Sequence, residues 1–279
     1  MQLLSSIAAF RNARADFSAL GFVPTMGYLH QGHLSLVRQA HEECGATAVS
    51  IFVNPTQFGP SEDFARYPRN MERDLELLEA AGVKLVFAPE TAEMYPASFG
   101  SYITLPMADE VLEGAARPGH FCGVATVVCK LLNIVQPTRA YFGQKDAQQT
   151  VVVRQIVRDL NMPTEIVVAP TVREADGLAM SSRNSYLTAE QRAAAPVIYH
   201  ALQAAHERYA SGERSAAALR QAMADLLATE PLARPDYVSA ADPLTLQELD
   251  EIQLRGVLLS LAVRFGGVRL IDNLLLEPA

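Results

Sequence analysis

Through the first 170 residues, short apolar runs alternate with longer amphipathic segments. This alternation constrains the fold most, because strands separated by helices build βαβ units and a parallel sheet. The run Ala46-Thr47-Ala48-Val49-Ser50-Ile51-Phe52-Val53 is continuous, as suits a strand buried on both faces. The spacing predicts strands near 20–24, 46–53, 83–88, 139–142 and 164–169. Helices are predicted at 33–44, 69–81, 123–135 and 147–160, with Gly45 and Gly82 as C-terminal stops. Residues 101–105 read as an extra strand inside an insertion. The pattern changes near Val172. Beyond it, 188–210 and 215–228 read as two Ala-rich helices, and 236–241, 256–265 and 268–272 as strands, the last two joined across Gly266-Gly267. The fold class is therefore α/β, with a parallel-sheet domain at 1–172 and a smaller α+β domain at 173–279. In open α/β sheets ligands bind at the carboxyl edge of the strands, so the segments after the strands are where chemistry is expected.

The 279 residues are 49% hydrophobic and 19% charged, which excludes intrinsic disorder. No apolar run is long enough to span a membrane, and the N-terminus lacks the basic start and apolar stretch of a secretory signal; cytoplasmic residence is expected. The net charge of −8 argues against a nucleic-acid partner, so an anionic substrate must be held by a local cationic pocket. Cys44, Cys122 and Cys129 fit neither a disulfide framework nor a zinc site.

His30-Gln31-Gly32-His33 follows the first predicted strand and places two imidazoles three residues apart. At a helix start, with Gly32 permitting close approach and backbone N–H groups unpaired, the pair suits a polyphosphate. Ordinary surface histidines, or a metal pair without a nearby third ligand, fit the same residues. Asn54-Pro55-Thr56-Gln57-Phe58 ends the next strand; its amides suit a hydroxyl and a carboxylate, while a plain Pro-containing turn is the alternative. Phe142-Gly143-Gln144-Lys145-Asp146 is another strand-to-helix junction. Its lysine is one of only three in the chain, the others being Lys84 and Lys130. Gln149 lies one turn on. Met180-Ser181-Ser182-Arg183-Asn184 offers hydroxyls, backbone amides and a guanidinium to a phosphate, or is a solvated loop. His120, with Arg117 and Gly119, forms a further polar cluster. His41, His200 and His206 fall inside amphipathic helices and are read as non-functional.

Taken in order, Pro24-Thr25-Met26-Gly27 running into His30-x-Gly32-His33, Ile51 to Phe58, Gly119-His120-Phe121-x-Gly123-Val124, Phe142-Gly143-x-Lys145-Asp146-x-Gln148-Gln149 and Met180 to Asn184 resemble the pantoate–β-alanine ligases of the HxGH nucleotidyltransferase group. The resemblance covers nearly the whole chain. Tyr28, Gln31 and Gln144 depart from the residues expected there. It implies a Rossmann-like N-terminal domain, a C-terminal lid, a cytoplasmic homodimer, and ATP, Mg²⁺, (R)-pantoate and β-alanine as cofactors and substrates. It further implies that His30, His33 and Lys145 are catalytic and that ATP is contacted by Met26, Gly27, Tyr28, Leu29, His30, Gln31, Gly32 and His33. Gly143, Gln144, Lys145, Asp146, Val172, Met180, Ser181, Ser182 and Arg183 complete that set. Gln57, Gln149 and Asn54 are implied to hold pantoate and β-alanine.

Overall fold

The computed structural model describes residues 1–60 and 62–278. Its first compact unit comprises residues 1–109, 117–144 and 149–170. In this unit, strand β1 (Gln2–Leu4) is followed by helix α1 (Ile7–Arg14), β2 (Gly21–Thr25), α2 (Gln31–Cys44), β3 (Thr47–Ile51), α3 (Met71–Ala80) and β4 (Leu85–Phe87). Short helices α4 (Thr91–Met94), α5 (Pro106–Asp109) and α6 (Leu112–Ala116) lead to α7 (His120–Val135), β5 (Arg139–Gly143), α8 (Ala147–Asp159) and β6 (Glu165–Ala169). Of these, α6 and the first two residues of α8 group with the second unit.

The six strands form one parallel sheet in the order β1-β4-β3-β2-β5-β6. Side chains alternate between two cores. Phe22, Ala48 and Phe142 meet α1, α7 and α8 on one face, while Val23, Val49 and Tyr141 meet α2 and α3 on the other. Burial on both faces explains why the strands read as continuous apolar runs. The chain winds outward from β2 in one direction through β3 and β4, and in the other through β5 and β6. The switch falls between β2 and β5. Those two strands pair only at Gly21↔Arg139 and Phe22↔Ala140, whereas β2 and β3 pair as far as Thr25↔Ile51. Pro24, which has no N–H to give a ladder, lies beyond the last β2–β5 pair. The carboxyl ends of β2 and β5 therefore part at the position where open α/β sheets receive ligands.

Several elements differ from the sequence reading, and helices α1, α4, α5 and α6 are not foreseen in it. An unforeseen edge strand, β1, pairs with β4. Residues 101–105 form no strand. Ile103 donates its N–H to Thr126 Oγ1 (3.0 Å), and Leu105 packs into the core against α7. The helix expected over 188–210 is two helices, α9 (Ala189–Ala194) and α10 (Val197–Ala210), divided at Pro196. Proline lacks the N–H a continuous helix needs there, and its ring clashes with the carbonyl four residues back.

The second unit adds α11 (Ala216–Leu227) and an antiparallel sheet of β7 (Ala233–Ala241), β8 (Val257–Phe265) and β9 (Val268–Leu276). The β8–β9 turn is the Gly266-Gly267 hairpin expected from the sequence. Helices α10 and α11 cover this sheet with Ile198, Leu202, Leu219 and Met223. Segment Glu110–Ala116 is tied into the same unit by Arg269, whose guanidinium donates to both carboxylate oxygens of buried Glu113 (2.7 Å each). No helix among the described residues is long and apolar enough to cross a membrane.

Candidate active site

Beyond β2 the backbone turns through two successive left-handed residues, Gly27 (φ 81°) and Tyr28 (φ 50°). Glycine suits the first position: a Cβ there would lie 3.0 Å from Ile51 Cγ2 and 3.1 Å from Asp74 Oδ2. Tyr28 is strained by about 1–2 kcal/mol. Asp74 offsets that strain. This α3 carboxylate is 1% exposed and accepts the N–H groups of Tyr28 and Leu29, both at 2.7 Å. Thr25 Oγ1 accepts from Gly27 N (3.1 Å) and donates to Ser50 O (2.7 Å), tying the turn to β3. Asp74 was not singled out in the sequence. The available signal was an acid inside the apolar stripe of Met71, Leu75 and Leu78. Asp74→Ala should destabilise the fold by about 2–3 kcal/mol, because two backbone donors lose a charged acceptor. Chemical denaturation checks this; a wild-type midpoint would contradict it.

Helix α2 starts with His30 as its cap. His30 Nδ1 accepts from Gly32 N (3.2 Å), and His33 Nδ1 accepts from His30 N (3.3 Å). A nitrogen that accepts carries no proton, so each neutral ring holds its proton on Nε2. The rings lie with centroids 4.0 Å apart. The backbone donors expected to serve an anion are partly used: His33 N also goes to His30 O (2.9 Å). The helix start thus offers a pair of imidazole N–H donors fixed in one tautomer. Leu29 points into the core, 1% exposed, while Gln31 is exposed.

At the end of β3, Asn54 is 1% exposed. Its Nδ2 donates to Gln57 Oε1 (3.0 Å) and Gly123 O (3.2 Å). Its Oδ1 accepts from Tyr95 OH (2.8 Å) and Thr56 Oγ1 (2.9 Å). The buried amide therefore orients Gln57. Gln57 is half-buried, and its Nε2 donates to Met26 Sδ (3.2 Å), which brings the turns after β2 and β3 together. Gln149, on α8, is half-buried, and Gly143 ends β5 in ordinary backbone conformation.

In the second unit Lys145 Nζ lies 3.4 Å from Asp146 Oδ1, and its carbonyl accepts from Asn273 Nδ2 (2.8 Å). Lys145 lines a small cavity with Ser181, Asn184 and Asp272. Asp272 is buried and receives a bidentate pair from Arg173 (2.5 and 3.0 Å). Burial nevertheless pushes its carboxyl above the usual carboxylate range, against the pull of Arg173 and, more weakly, Lys145. Ser181 Oγ caps the turn Ser182–Tyr186 by accepting from Arg183 N (3.3 Å), and Ser182 is buried. Met180 N donates to Val172 O (3.0 Å), joining two of the expected ATP contacts. Asp272, Arg173 and Asn273 were not foreseen, since nothing local to β9 marks the partner it meets.

A family model described as Pantoate-beta-alanine ligase matches residues 2–275. A pantothenate synthetase of Chloroflexus aurantiacus is 73% identical over 277 residues, covering 99% of each chain. One of Herpetosiphon aurantiacus is 65% identical, covering 99% of this chain and all of that one. The crystal structure of pantothenate synthetase from Thermus thermophilus is 50% identical and superposes with a TM-score of 0.95 over the whole of both chains. That of the Francisella tularensis pantoate-beta-alanine ligase, complexed with beta-gamma ATP and beta-alanine, is 36% identical, with a TM-score of 0.80 over 99% of this chain and 97% of that one. The chain belongs to the pantoate–β-alanine ligase family.

Proposed function

We propose that this chain condenses (R)-pantoate with β-alanine at the expense of ATP, giving pantothenate, AMP and diphosphate through a pantoyl adenylate. The carrying observation lies in the first unit, where two imidazoles locked as Nε2–H donors follow β2 and an oriented amide, Gln57, follows the adjacent β3. The first set suits phosphate oxygens and the second a hydroxy acid.

A carboxylate is a poor acyl donor because its leaving group would be an oxide. A pantoate carboxylate oxygen attacks the α-phosphorus of ATP, the bond to the bridging oxygen breaks, and diphosphate leaves. The β-alanine amine then attacks the acyl carbon and loses a proton to solvent, and the bond to AMP breaks. The first step brings negative groups together, so donors matched to the developing charge supply much of the rate, together with orientation. His30 and His33 donate Nε2–H to phosphate oxygens. Lys145 neutralises them, and Ser181, Ser182 and Arg183 supply further donors. Met26, Gly143, Asp146 and Val172 hold adenosine. Gln57 and Gln149 hold pantoate, and Asn54 acts through Gln57.

Among the described residues no group of three or more His, Cys, Asp and Glu side chains could hold a metal ion. Mg²⁺ ordinarily takes substrate phosphates and water with at most one or two carboxylates, so it would enter this reading with ATP, and no step is routed through it. The motif resemblance supports a cytoplasmic homodimer. Mixing the purified protein with ATP, Mg²⁺, pantoate and β-alanine, omitting one component at a time, should yield pantothenate and AMP by mass detection only in the complete mixture. AMP release that ignores pantoate would overturn the reading.

A further inference from the structure

The cluster built on His120 is absorbed by none of the roles above. His120 opens α7, but its side chain does not cap that helix; the cap position is Gly119, in the left-handed region at φ 81°. Instead His120 Nδ1 reaches the carbonyl oxygen of Gln57 at 2.9 Å. A carbonyl only accepts, so Nδ1 carries the proton. Nε2 then presents its lone pair, and Arg117 Nη1, which can only donate, meets it at 3.0 Å. Arg117 is held in turn by both carboxylate oxygens of Glu62, at 2.7 and 2.8 Å. Burial opposes the Glu62 charge, yet Arg117 keeps that carboxyl below its usual range, so the acid end of the chain stays ionised at neutral pH. Carboxylate, guanidinium, imidazole and peptide thus form one directed series ending on the backbone of Gln57.

This arrangement acts on the residue whose side chain grips the hydroxy acid. Gln57 closes a three-residue turn, Pro55–Gln57, outside any sheet ladder. Its side-chain amide is oriented by Asn54 and Met26, and its carbonyl chiefly by His120 at 2.9 Å, with Arg117 Nη2 at the longer distance of 3.5 Å. A peptide free to rotate would swing the Cα–Cβ direction and the amide with it.

We propose that His120, held in its Nδ1–H tautomer by Arg117 and Glu62, is a positioning residue for pantoate that acts by fixing the Gln57 peptide. The inference rests on Gln57 as a pantoate contact. Losing one neutral hydrogen bond to a substrate-orienting group corresponds to about a 10-fold change in apparent affinity. His120→Ala should therefore raise the KM for pantoate about 10-fold and leave the KM for ATP within about twofold. His120→Asn keeps a donor near the Nδ1 position and should restore the pantoate KM to within about threefold of wild type. His120→Gln, whose donor sits one bond further out, should not. The Asn–Gln contrast decides the matter even if the alanine variant fails to fold. Equal behaviour of the Asn and Gln variants, or a parallel rise in the KM for ATP, would overturn the proposal. Gln57→Ala runs beside them. If it raises the pantoate KM while His120→Ala does not, the positioning role fails and the Gln57 assignment stands. If Gln57→Ala changes nothing, the assignment and the proposal fall together.

Discussion

Lys145→Ala should slow formation of the pantoyl adenylate about 10²–10³-fold, and His33→Asn should do the same, the scale of removing one donor aimed at developing charge. Lys145 is one of three lysines in the sequence. The buried carboxylate lining the same cavity, Asp272, is bonded through both oxygens to Arg173 and is only weakly pulled by the Lys145 charge, whose own ion pair is with Asp146 Oδ1 at 3.4 Å. Asparagine is the informative replacement at His33, because its Oδ1 can still accept from His30 N as the imidazole Nδ1 does (3.3 Å). The helix start should survive and only the Nε2–H donor be lost. Rapid-quench single turnovers with ATP and pantoate, without β-alanine, read the adenylate step directly. Wild-type rates in either variant, with an unchanged melting transition, would remove that residue from the mechanism.

Gly123→Ala should be among the most damaging changes of a single methyl. A Cβ at Gly123 would sit 2.3 Å from Thr56 O, 2.5 Å from Thr56 C and 2.6 Å from Gln57 N. All three are backbone atoms, so no side chain can rotate away. Neither partner yields easily: α7 is buried along most of its length, and the Pro55–Gln57 turn is pinned by Asn54, which also holds the Gly123 carbonyl. Overpacking a core typically costs about 1–3 kcal/mol, and a backbone-on-backbone clash belongs at or above the top of that range, about 3–5 kcal/mol. Urea unfolding measures it. Gly143→Ala is the matched control: it lies in a proposed nucleotide-binding segment, but a Cβ there meets nothing within 4 Å, and its stability should stay within about 0.5 kcal/mol of wild type. Equal loss in both variants would mean that the close approach of α7 to the turn is not what Gly123 serves.

The alternation of apolar runs determined by itself that β2 to β6 are strands separated by helices, and the Gly266-Gly267 pair that β8 and β9 form a hairpin. Those features depend on neighbours along the chain, and periodicity records neighbours. Tertiary structure alone decided the rest. Strand order placed the ends of β2 and β5 beside each other and let them part, and no local pattern encodes which strand pairs with which. Asp74 supports the Gly27–Leu29 turn from 45 residues away, and Asn54, read as a ligand contact, turned inward to hold Gln57. Residues 101–105 had the composition of a strand and found a helix to pack on instead of a partner strand. A buried polar group is satisfied by whatever the fold brings within about 3 Å, and that partner is set by three-dimensional proximity, to which sequence spacing is blind.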